Sequence, residues 1–404
     1  MLSLRPISRM NHFKHFQSAA LYLRRYIEAE DYQGYDPYDA LNGWFPFRLF
    51  GKWGPVIAIQ VMKRLPINLR PLLGIQKQTN AKALGLLLEA YALWHQMAPE
   101  PALEATCHQL FQRLMKCQSK GYSGICWGYP FHWASPLKYL PAHTPNIVAT
   151  AFAARGIETY YQSFQKPEAL EALCAIVPFV LNDLEREETE SGCFISYTPV
   201  EKDCCYNASL LAGEILARAG ALKKQSEWLE IARQTVEFVV AQQQPDGCWN
   251  YSKNLETGKE RVQIDFHQGY VIDSIRLIAD RGGWKNPAWE KAVEKGASFY
   301  RKEQFFEDGR SLWRIPTVWP LEIHNQSQGI LTFVHLDQLD SSYSAFANTI
   351  GKWTIAHMRH PRKGYFFYRK LSWYTNKIPF MRWSQAWMLL SLVHLMVHAK
   401  NSES

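Results

Sequence analysis

Two short strings of the sequence each place an acid two positions before a histidine. Asp265 and His267 lie in QIDFHQGYVIDSI, Glu322 and His324 lie in PLEIHNQSQGIL, and each string then turns apolar. Carboxylates on two neighbouring helices can reach the separation of about 6.5–9.5 Å that inverting glycoside hydrolysis uses. Either histidine could instead take a proton from carbon. The repeated pattern therefore predicts one catalytic group that contains all four residues.

The stretch YDPYD supplies a further pair of acids, Asp36 and Asp39, beside Tyr35 and Tyr38. If this stretch folds over the same cavity, either aspartate can replace Glu322 as the second carboxylate, and the tyrosines can contact substrate. The alternative is turn chemistry, because an Asp before a Pro readily begins a turn.

Amides, hydroxyls and aromatic rings recur at the starts of apolar helical segments and in the loops before them. Such groups hydrogen-bond the edges of a sugar and stack on its faces. Arg314 and Arg382 are candidates for binding a carboxylate substituent. The other substrate-binding candidates are Asn80, Trp127, Asn146, Tyr206, Asn207, Trp249, Tyr251, Gln268, Trp313, Asn325, Gln328 and Gln385.

Each candidate also has a structural interpretation. Asp265 and Glu322 can be helix caps, since an acid before a helix binds its free amides and favours its dipole. His267 and His324 can be hydrogen-bonded core residues. The loop tryptophans can close one end of the fold, and Asn or Thr at a helix start is an ordinary cap.

The elements that must position these residues are helices. Apolar residues recur at helical spacing along the chain, and alternating strand patterns are scarce. Six amphipathic segments with charged flanks, such as SEWLEIARQTVEFVVAQQQ, alternate with six segments that are apolar on more than one face, such as CYNASLLAGEILARAG. The first kind is typical of outer helices, and the second needs cover on all sides.

A glycine with aromatic neighbours follows five of the outer segments. These glycines, at positions 124, 192, 247, 309 and 364, are 68, 55, 62 and 55 residues apart. A period near 60 with two helices per unit indicates an array of helical hairpins. Six hairpins predict an all-α fold, the (α/α)6 toroid, with residues 1–404 in one domain.

Residues 30–78 form a long insertion between the first outer and the first inner helix. Pro and Gly punctuate it, and its second half is apolar and carries Lys and Arg. A lid over the cavity is one interpretation, and a flap that only covers the ring end is another. A third is that residues 44–73 contact a membrane surface as a peripheral segment.

Composition bounds the class of protein. The net charge of +8 favours an anionic partner, such as an acidic glycan, a nucleotide-linked sugar or a membrane surface. A nucleic-acid partner is not expected. The basic start lacks an apolar core of signal-peptide length, so a cytoplasmic location is expected. The eight cysteines show no CxxC pair and no zinc-ligand spacing. We therefore expect reduced thiols, with no metal site and no cofactor. The alternative is a metal ion held by distant residues such as Cys204, Cys248 and His267.

With its alternating helices and the strings DYQGYDPYDALNG and EIHNQSQGI, the chain resembles a family of bacterial proteins associated with exopolysaccharide biosynthesis. The family has no settled reaction, so the resemblance implies a polysaccharide context and not a chemistry. More distantly, the architecture is similar to six-hairpin glycosidases, unsaturated glucuronyl hydrolases, sugar 2-epimerases and the toroidal domains of uronate epimerases and lyases. One fold serves many functions.

Three hypotheses follow. The leading one is an enzyme that acts on an oligo- or polysaccharide by acid/base catalysis, as a glycoside hydrolase or a uronate epimerase or lyase. The second is a non-catalytic glycan-binding or scaffold protein of a polysaccharide assembly complex. The third is an isoprenoid-handling toroid, which requires an apolar cavity with carboxylates for a diphosphate-bound metal.

Overall fold

The computed structural model describes residues 5–136 and 138–401, so the predicted domain ends at 1 and 404 lie outside the described part. The α-helices within this part, in chain order, are α1 (Arg5–Ala29), α2 (Trp53–Arg64), α3 (Ala81–Met97), α4 (Pro101–Lys116), α5 (Ile147–Phe164), α6 (Pro167–Ala175), α7 (Tyr206–Lys223), α8 (Ser226–Ala241), α9 (His267–Gly282), α10 (Pro287–Glu303), α11 (Ile323–His335), α12 (Ser341–Met358) and α13 (Ala386–Asn401).

Twelve of these helices form two layers in strict alternation. Helices α3, α5, α7, α9, α11 and α13 are the inner ones, and α7 shows why: every residue from Tyr206 to Gly220 is buried. The outer helices are α1, α4, α6, α8, α10 and α12. In α10 the buried Trp289, Val293 and Tyr300 share one face, as an amphipathic surface helix requires.

The inner helices close into a ring. Each one packs against the next, from α3 through α5, α7, α9 and α11 to α13, and α13 packs against α3. Each outer helix packs on the inner helix before it in the ring, with α1 on α13. The predicted all-α (α/α)6 toroid is confirmed. The outer segment PEALEALCAIVPFVLNDLERE has a helical apolar spacing along its length, but α6 ends before Pro178 and a π-helical turn follows.

The five loop glycines explain the period of the sequence. Each abuts the next outer helix or its end: Gly124 at Ala175, Gly192 at Gln234, Gly247 at Lys295, Gly309 at Ile350 and Gly364 at Tyr22. A Cβ at Gly247 would lie 2.7 Å from the Lys295 carbonyl oxygen, so a side chain there would displace the helix. Gly364 contacts α1 and thereby joins the last repeat to the first.

Short antiparallel strands brace the loops before the inner helices. They are β1 (Trp133–Ala134), β2 (Tyr139–Leu140), β3 (Arg186–Thr189), β4 (Gly192–Ile195), β5 (Cys204–Cys205), β6 (Ser252–Lys253), β7 (Glu260–Arg261), β8 (Leu321–Glu322), β9 (Arg369–Lys370) and β10 (Thr375–Asn376). Strands β1–β2 and β3–β4 are hairpins, whereas β5–β6–β7 and β8–β9–β10 are three-stranded sheets. The three-stranded sheets link loops from successive repeats.

The insertion at residues 30–78 contains α2 and has a small core of its own. Ala40, Val56, Ile59 and Met62 are buried together there, and β1 contributes Ala134.

Among residues 5–136 and 138–401, none of the helices combines the length and apolar character that crossing a bilayer requires.

Closure of the ring can be tested at Gly364, whose φ of +77° suits glycine. We expect Gly364→Ala to lower the free energy of unfolding by about 1–3 kcal/mol more than Gly121→Ala, measured by denaturant titration. Gly121 is the matched control, because its φ is +88° but a Cβ added there would have no atom within 4 Å. Equal losses in the two variants would mean that the contact with α1 contributes nothing.

Candidate functional site

A cavity of about 1150 Å³ lies where the inner helices begin. Its wall consists of the loops before those helices, the first residues of α9 and α11, and Tyr38 and Lys63 of the insertion. This volume is slightly above the range of about 300–1,000 Å³ that is typical of small-ligand sites. The predicted site residues that line it are Tyr38, Asn146, Tyr251, Asp265, His267, Trp313, Arg314, Glu322, Asn325 and Arg382.

Asp265 and His267 form one hydrogen-bonded pair at the start of α9. His267 Nδ1 lies 2.5 Å from Asp265 Oδ1, and Asp265 Oδ2 accepts a hydrogen bond from Gln263 Nε2 at 2.9 Å. The same carboxylate accepts the His267 main-chain N–H at 3.2 Å, so Asp265 also satisfies one free amide of the helix. The capping role and the contact with the imidazole therefore coexist.

The charges around Asp265 keep it ionised. Burial acts to raise its pKa, but His267 and Arg314, whose Nε is 3.3 Å from Oδ2, hold the pKa below its ordinary value. An ionised carboxylate only accepts hydrogen bonds, so His267 Nδ1 is the donor, and in the neutral form of the ring Nε2 is the acceptor. The His267 side chain is 16% exposed and lines the cavity. It can therefore act as a base held in one orientation.

Glu322 lines the same cavity but has different partners. Its Oε2 binds Arg369 through Nε at 2.7 Å and through Nη2, and its Oε1 accepts the Trp383 indole N–H at 2.6 Å. The pairing of β8 with β9 sets Glu322 opposite Arg369. Although Glu322 occupies the N-cap position of α11, its side chain makes no capping hydrogen bond. Capping is therefore not its role.

His324 does not repeat the position of His267. It is buried, its Nε2 lies 2.8 Å from Tyr270 Oη, and its ring stacks on Phe266 at 4.1 Å between centroids. Burial lowers the pKa of His324 well below its usual value, so the ring is neutral at pH 7. His324 lies behind Phe266, which itself lines the cavity. The predicted equivalence of the two acid-x-His pairs therefore fails at the second histidine.

Asp36 and Asp39 are held in buried ion pairs outside the cavity wall. Arg382 binds Asp36 through Nε at 2.6 Å and Nη2 at 2.8 Å, and Arg70 Nε binds Asp39 at 2.6 Å. Burial raises the pKa of Asp39 to about 6, against the lowering effect of Arg70. Asp39 also accepts the Asp36 main-chain N–H at 2.8 Å. Both acids thus form and anchor a turn, and the expected role of a second carboxylate does not fit them.

Several predicted substrate-binding residues attach loops to helices instead. The indole N–H groups of Trp127 and Trp249 donate to main-chain carbonyls of the preceding outer helices, at 2.8 and 2.9 Å. Gln268 binds the main-chain N–H and C=O of Trp249, at 2.9 and 2.7 Å, and Gln385 binds those of Phe366, both at 2.8 Å. The predicted binding residues that do not line the cavity are Tyr35, Asn80, Trp127, Tyr206, Asn207, Trp249, Gln268, Gln328 and Gln385.

Asn80 and Asn146 are N-caps, as their structural interpretation states. The Asn80 side chain accepts the Lys82 main-chain N–H at 3.0 Å, and the Asn146 side chain accepts that of Ala149 at 2.9 Å. Asn146 additionally lines the cavity. A cap at the start of an inner helix is therefore also within reach of a ligand in the cavity.

The cavity contains groups that the sequence analysis missed. Arg369 and Trp383 hold Glu322. Arg369 follows the loop glycine Gly364 by five residues, and Trp383 directly follows the candidate Arg382. The cationic lining residues are Lys63, Lys138, Lys202, Lys253, Lys259, Arg261, Arg314, Arg369 and Arg382. The acidic ones are Glu201, Asp203, Glu256, Glu260, Asp265 and Glu322. Nine cations against six acids make the wall suited to an anionic ligand.

No group of three or more His, Cys, Asp or Glu side chains in the described part of the chain is arranged to hold a metal ion. All eight cysteines are free thiols, and burial raises the pKa of Cys204 and Cys248 to about 12. These two thiols are therefore protonated at neutral pH.

The fold has many solved counterparts at low sequence identity. An unsaturated glucuronyl hydrolase specific for heparin aligns with a TM-score of 0.65 and 12% identity over 97% of this chain and 98% of its own. An α-mannanase of Bacteroides thetaiotaomicron aligns at 0.64 and 11%, over 81% and 89%. Cellobiose 2-epimerase from Bacillus thermoamylovorans aligns at 0.61 and 12%, over 79% and 90%. No family model and no curated protein matches the sequence. These likenesses establish the six-hairpin toroid.

Proposed function

We propose that this chain is a carbohydrate-active enzyme that removes a proton from a carbon atom of an acidic sugar, as uronate epimerases and lyases do. The observation that carries the proposal is the hydrogen bond between Asp265 and His267 in the wall of a large cavity. A carboxylate on Nδ1 fixes the ring and stabilises the imidazolium that forms when Nε2 takes a proton.

The reaction needs a base and a site for the developing negative charge. His267 Nε2 takes the proton from the carbon next to the sugar carboxylate, and the C–H electron pair moves into that carboxylate. Delivery of a proton from water to the opposite face gives the epimer, and the imidazolium then releases its proton to solvent. Loss of the oxygen substituent on the neighbouring carbon, with proton return from the imidazolium to the leaving oxygen, gives an unsaturated sugar. Arg314, at the cavity wall beside the pair, is suited to bind the carboxylate.

The charge and the aromatic side chains of the cavity wall support an acidic sugar as the substrate. The excess of cations in the wall supports an anionic sugar, and nine aromatic side chains there offer faces for stacking. Solved proteins of this fold include a hydrolase specific for heparin and a cellobiose 2-epimerase. The resemblance carried by DYQGYDPYDALNG and EIHNQSQGI supports a role in bacterial polysaccharide biosynthesis.

Glycoside hydrolysis is the second candidate, because Asp265 and Glu322 line the same cavity. Hydrolysis requires one carboxylic acid in its protonated form. Here Asp265 has a lowered pKa, and Glu322 binds Arg369. The ion pairs favour proton abstraction by His267 over this mechanism. The open, charged cavity likewise favours an enzyme over a scaffold or an isoprenoid pocket.

His267→Gln should lower turnover of uronate-containing oligosaccharides by about 10²–10⁴-fold, because the amide cannot accept the proton. Products are followed by the absorbance of the unsaturated sugar and by chromatography of epimers. His357→Gln, on the outer face of α12, is the matched control and should keep full activity. Retained cleavage in His267→Gln together with its loss in Glu322→Gln would favour hydrolysis instead.

Asp265→Asn separates the orienting role from the capping role. The amide can still accept a hydrogen bond, but it loses the charge that stabilises the imidazolium, so we expect turnover to fall by about 10³-fold or more. The melting temperature should change little. A variant that keeps its activity and loses stability would show that Asp265 serves only the helix.

Arg314→Gln tests the binding of the sugar carboxylate. We expect KM for a uronate substrate to rise about tenfold or more, since one charged hydrogen bond is lost. A methyl ester of the same substrate should show little change. Arg310→Gln is the control, because Arg310 pairs with Asp308 outside the cavity and has similar exposure. An equal rise in KM for both substrates would argue against carboxylate recognition.

A further inference from the structure

The insertion concentrates exposed apolar side chains. Fifteen large hydrophobic residues are exposed in the described part of the chain, and eight of them fall between residues 44 and 72. They are Trp44, Leu49, Phe50, Trp53, Ile57, Val61, Ile67 and Leu72. Scattered exposed residues need no explanation, but a cluster of this size marks an interaction surface.

Three of the eight form a stripe on α2. Trp53, Ile57 and Val61 recur every four residues, and their side chains are 51%, 57% and 48% exposed. The opposite face, with Ile59 and Met62, is buried against the core of the insertion. The helix therefore has one apolar face inside and a second one in solvent.

Ring contacts and hydrogen bonds connect the stripe to the other exposed residues. The Trp44 indole N–H donates to the Leu72 carbonyl at 3.2 Å, Trp44 contacts Phe45, and Phe45 stacks on Phe50 at 6.1 Å, just before α2. At the other end of α2, Tyr374 Oη donates to the Arg64 carbonyl at 2.8 Å. This bond brings the loop with Trp373, which is 80% exposed, beside the helix. We call the surface formed by these eight residues and Trp373 the α2 face.

The charges on the α2 face have one sign. The sequence has no Asp or Glu between Asp39 and Glu89. Arg48, Lys52 and Arg64 are exposed there. Apolar and aromatic side chains interleaved with Lys and Arg are typical of segments that lie in the interface of an anionic bilayer. Protein–protein interfaces are instead depleted of Lys, whereas Lys52 directly precedes the apolar stripe of α2.

We propose that the α2 face binds the surface of an anionic lipid bilayer. The stripe of α2 and the rings around Phe50 enter the interfacial region, and Arg48, Lys52 and Arg64 contact lipid phosphates. Lys63, from the same helix, lines the cavity and donates a hydrogen bond to Tyr38 Oη at 2.5 Å. Docking through α2 thus holds the cavity next to the membrane surface, whatever reaction takes place in it.

Vesicle co-sedimentation of the full chain tests this proposal. The vesicles are phosphatidylcholine alone, or phosphatidylcholine with phosphatidylglycerol in a three-to-one ratio. We expect binding to the anionic vesicles, weakened by added salt, and little binding to the neutral ones. Leu49→Ser/Ile57→Ser should weaken binding about tenfold or more, and Arg48→Glu/Lys52→Glu should remove its dependence on anionic lipid.

The matched control is Leu21→Ser/Leu339→Ser with Lys291→Glu, which changes exposed residues outside the α2 face and should bind as the wild type does. Failure of the wild type to bind anionic vesicles would overturn the proposal. So would equal losses in the control and the α2-face variants. A wild type that ignores vesicles but forms a dimer that Leu49→Ser/Ile57→Ser breaks would assign the face to a second copy of the chain.

Discussion

The rest of the structure depends on the closure of the inner ring. An inner helix such as α7 is buried on every side, so it is stable only when neighbours cover it all round. Closure between α13 and α3 supplies that cover without exposed ends. The loops are attached to this ring by side chains near the helix starts, at 58- or 59-residue spacing: Thr150, Ser209, Gln268, Gln326 and Gln385. The same hydrogen bonds that join the repeats therefore also hold the loops that form the cavity wall.

Closure also crowds charges at one end of the ring, and burial demands that each be paired. Each deep carboxylate has a cation from another element: Arg314 for Asp265, Arg369 for Glu322 and Arg382 for Asp36. Such pairing removes these acids from the set of simple proton donors. His267 differs, because Asp265 occupies only its Nδ1 and the ring still lines the cavity. This difference is the reason to place proton transfer at His267 in our proposal.

The fold could be predicted from the sequence because ring closure requires patterns that are visible locally. Outer segments are apolar on one face, and inner segments are apolar on nearly every face. A glycine stands where a loop meets the next outer helix. The sequence also located many cavity residues, since helix starts converge in a toroid.

The hydrogen-bond and ion-pair partners of these residues could not be predicted from the sequence. Glu322 and His324 are two residues apart, yet the β8–β9 pairing turns one toward Arg369 and the helix turns the other behind Phe266. The loop position of Trp249 predicts a ligand-stacking residue, but its indole N–H donates to the Val239 carbonyl of α8. Such choices depend on long-range packing that no local pattern encodes.

The most direct test of the central claim is hydrogen exchange at carbon. The protein is incubated in D2O with uronate-containing oligosaccharides, and the C–H signals of the sugar are followed by proton NMR. Our account predicts loss of the signal next to the carboxylate with the wild type and its persistence with His267→Gln. Glycosidic cleavage by the wild type with every carbon-bound proton retained would contradict it.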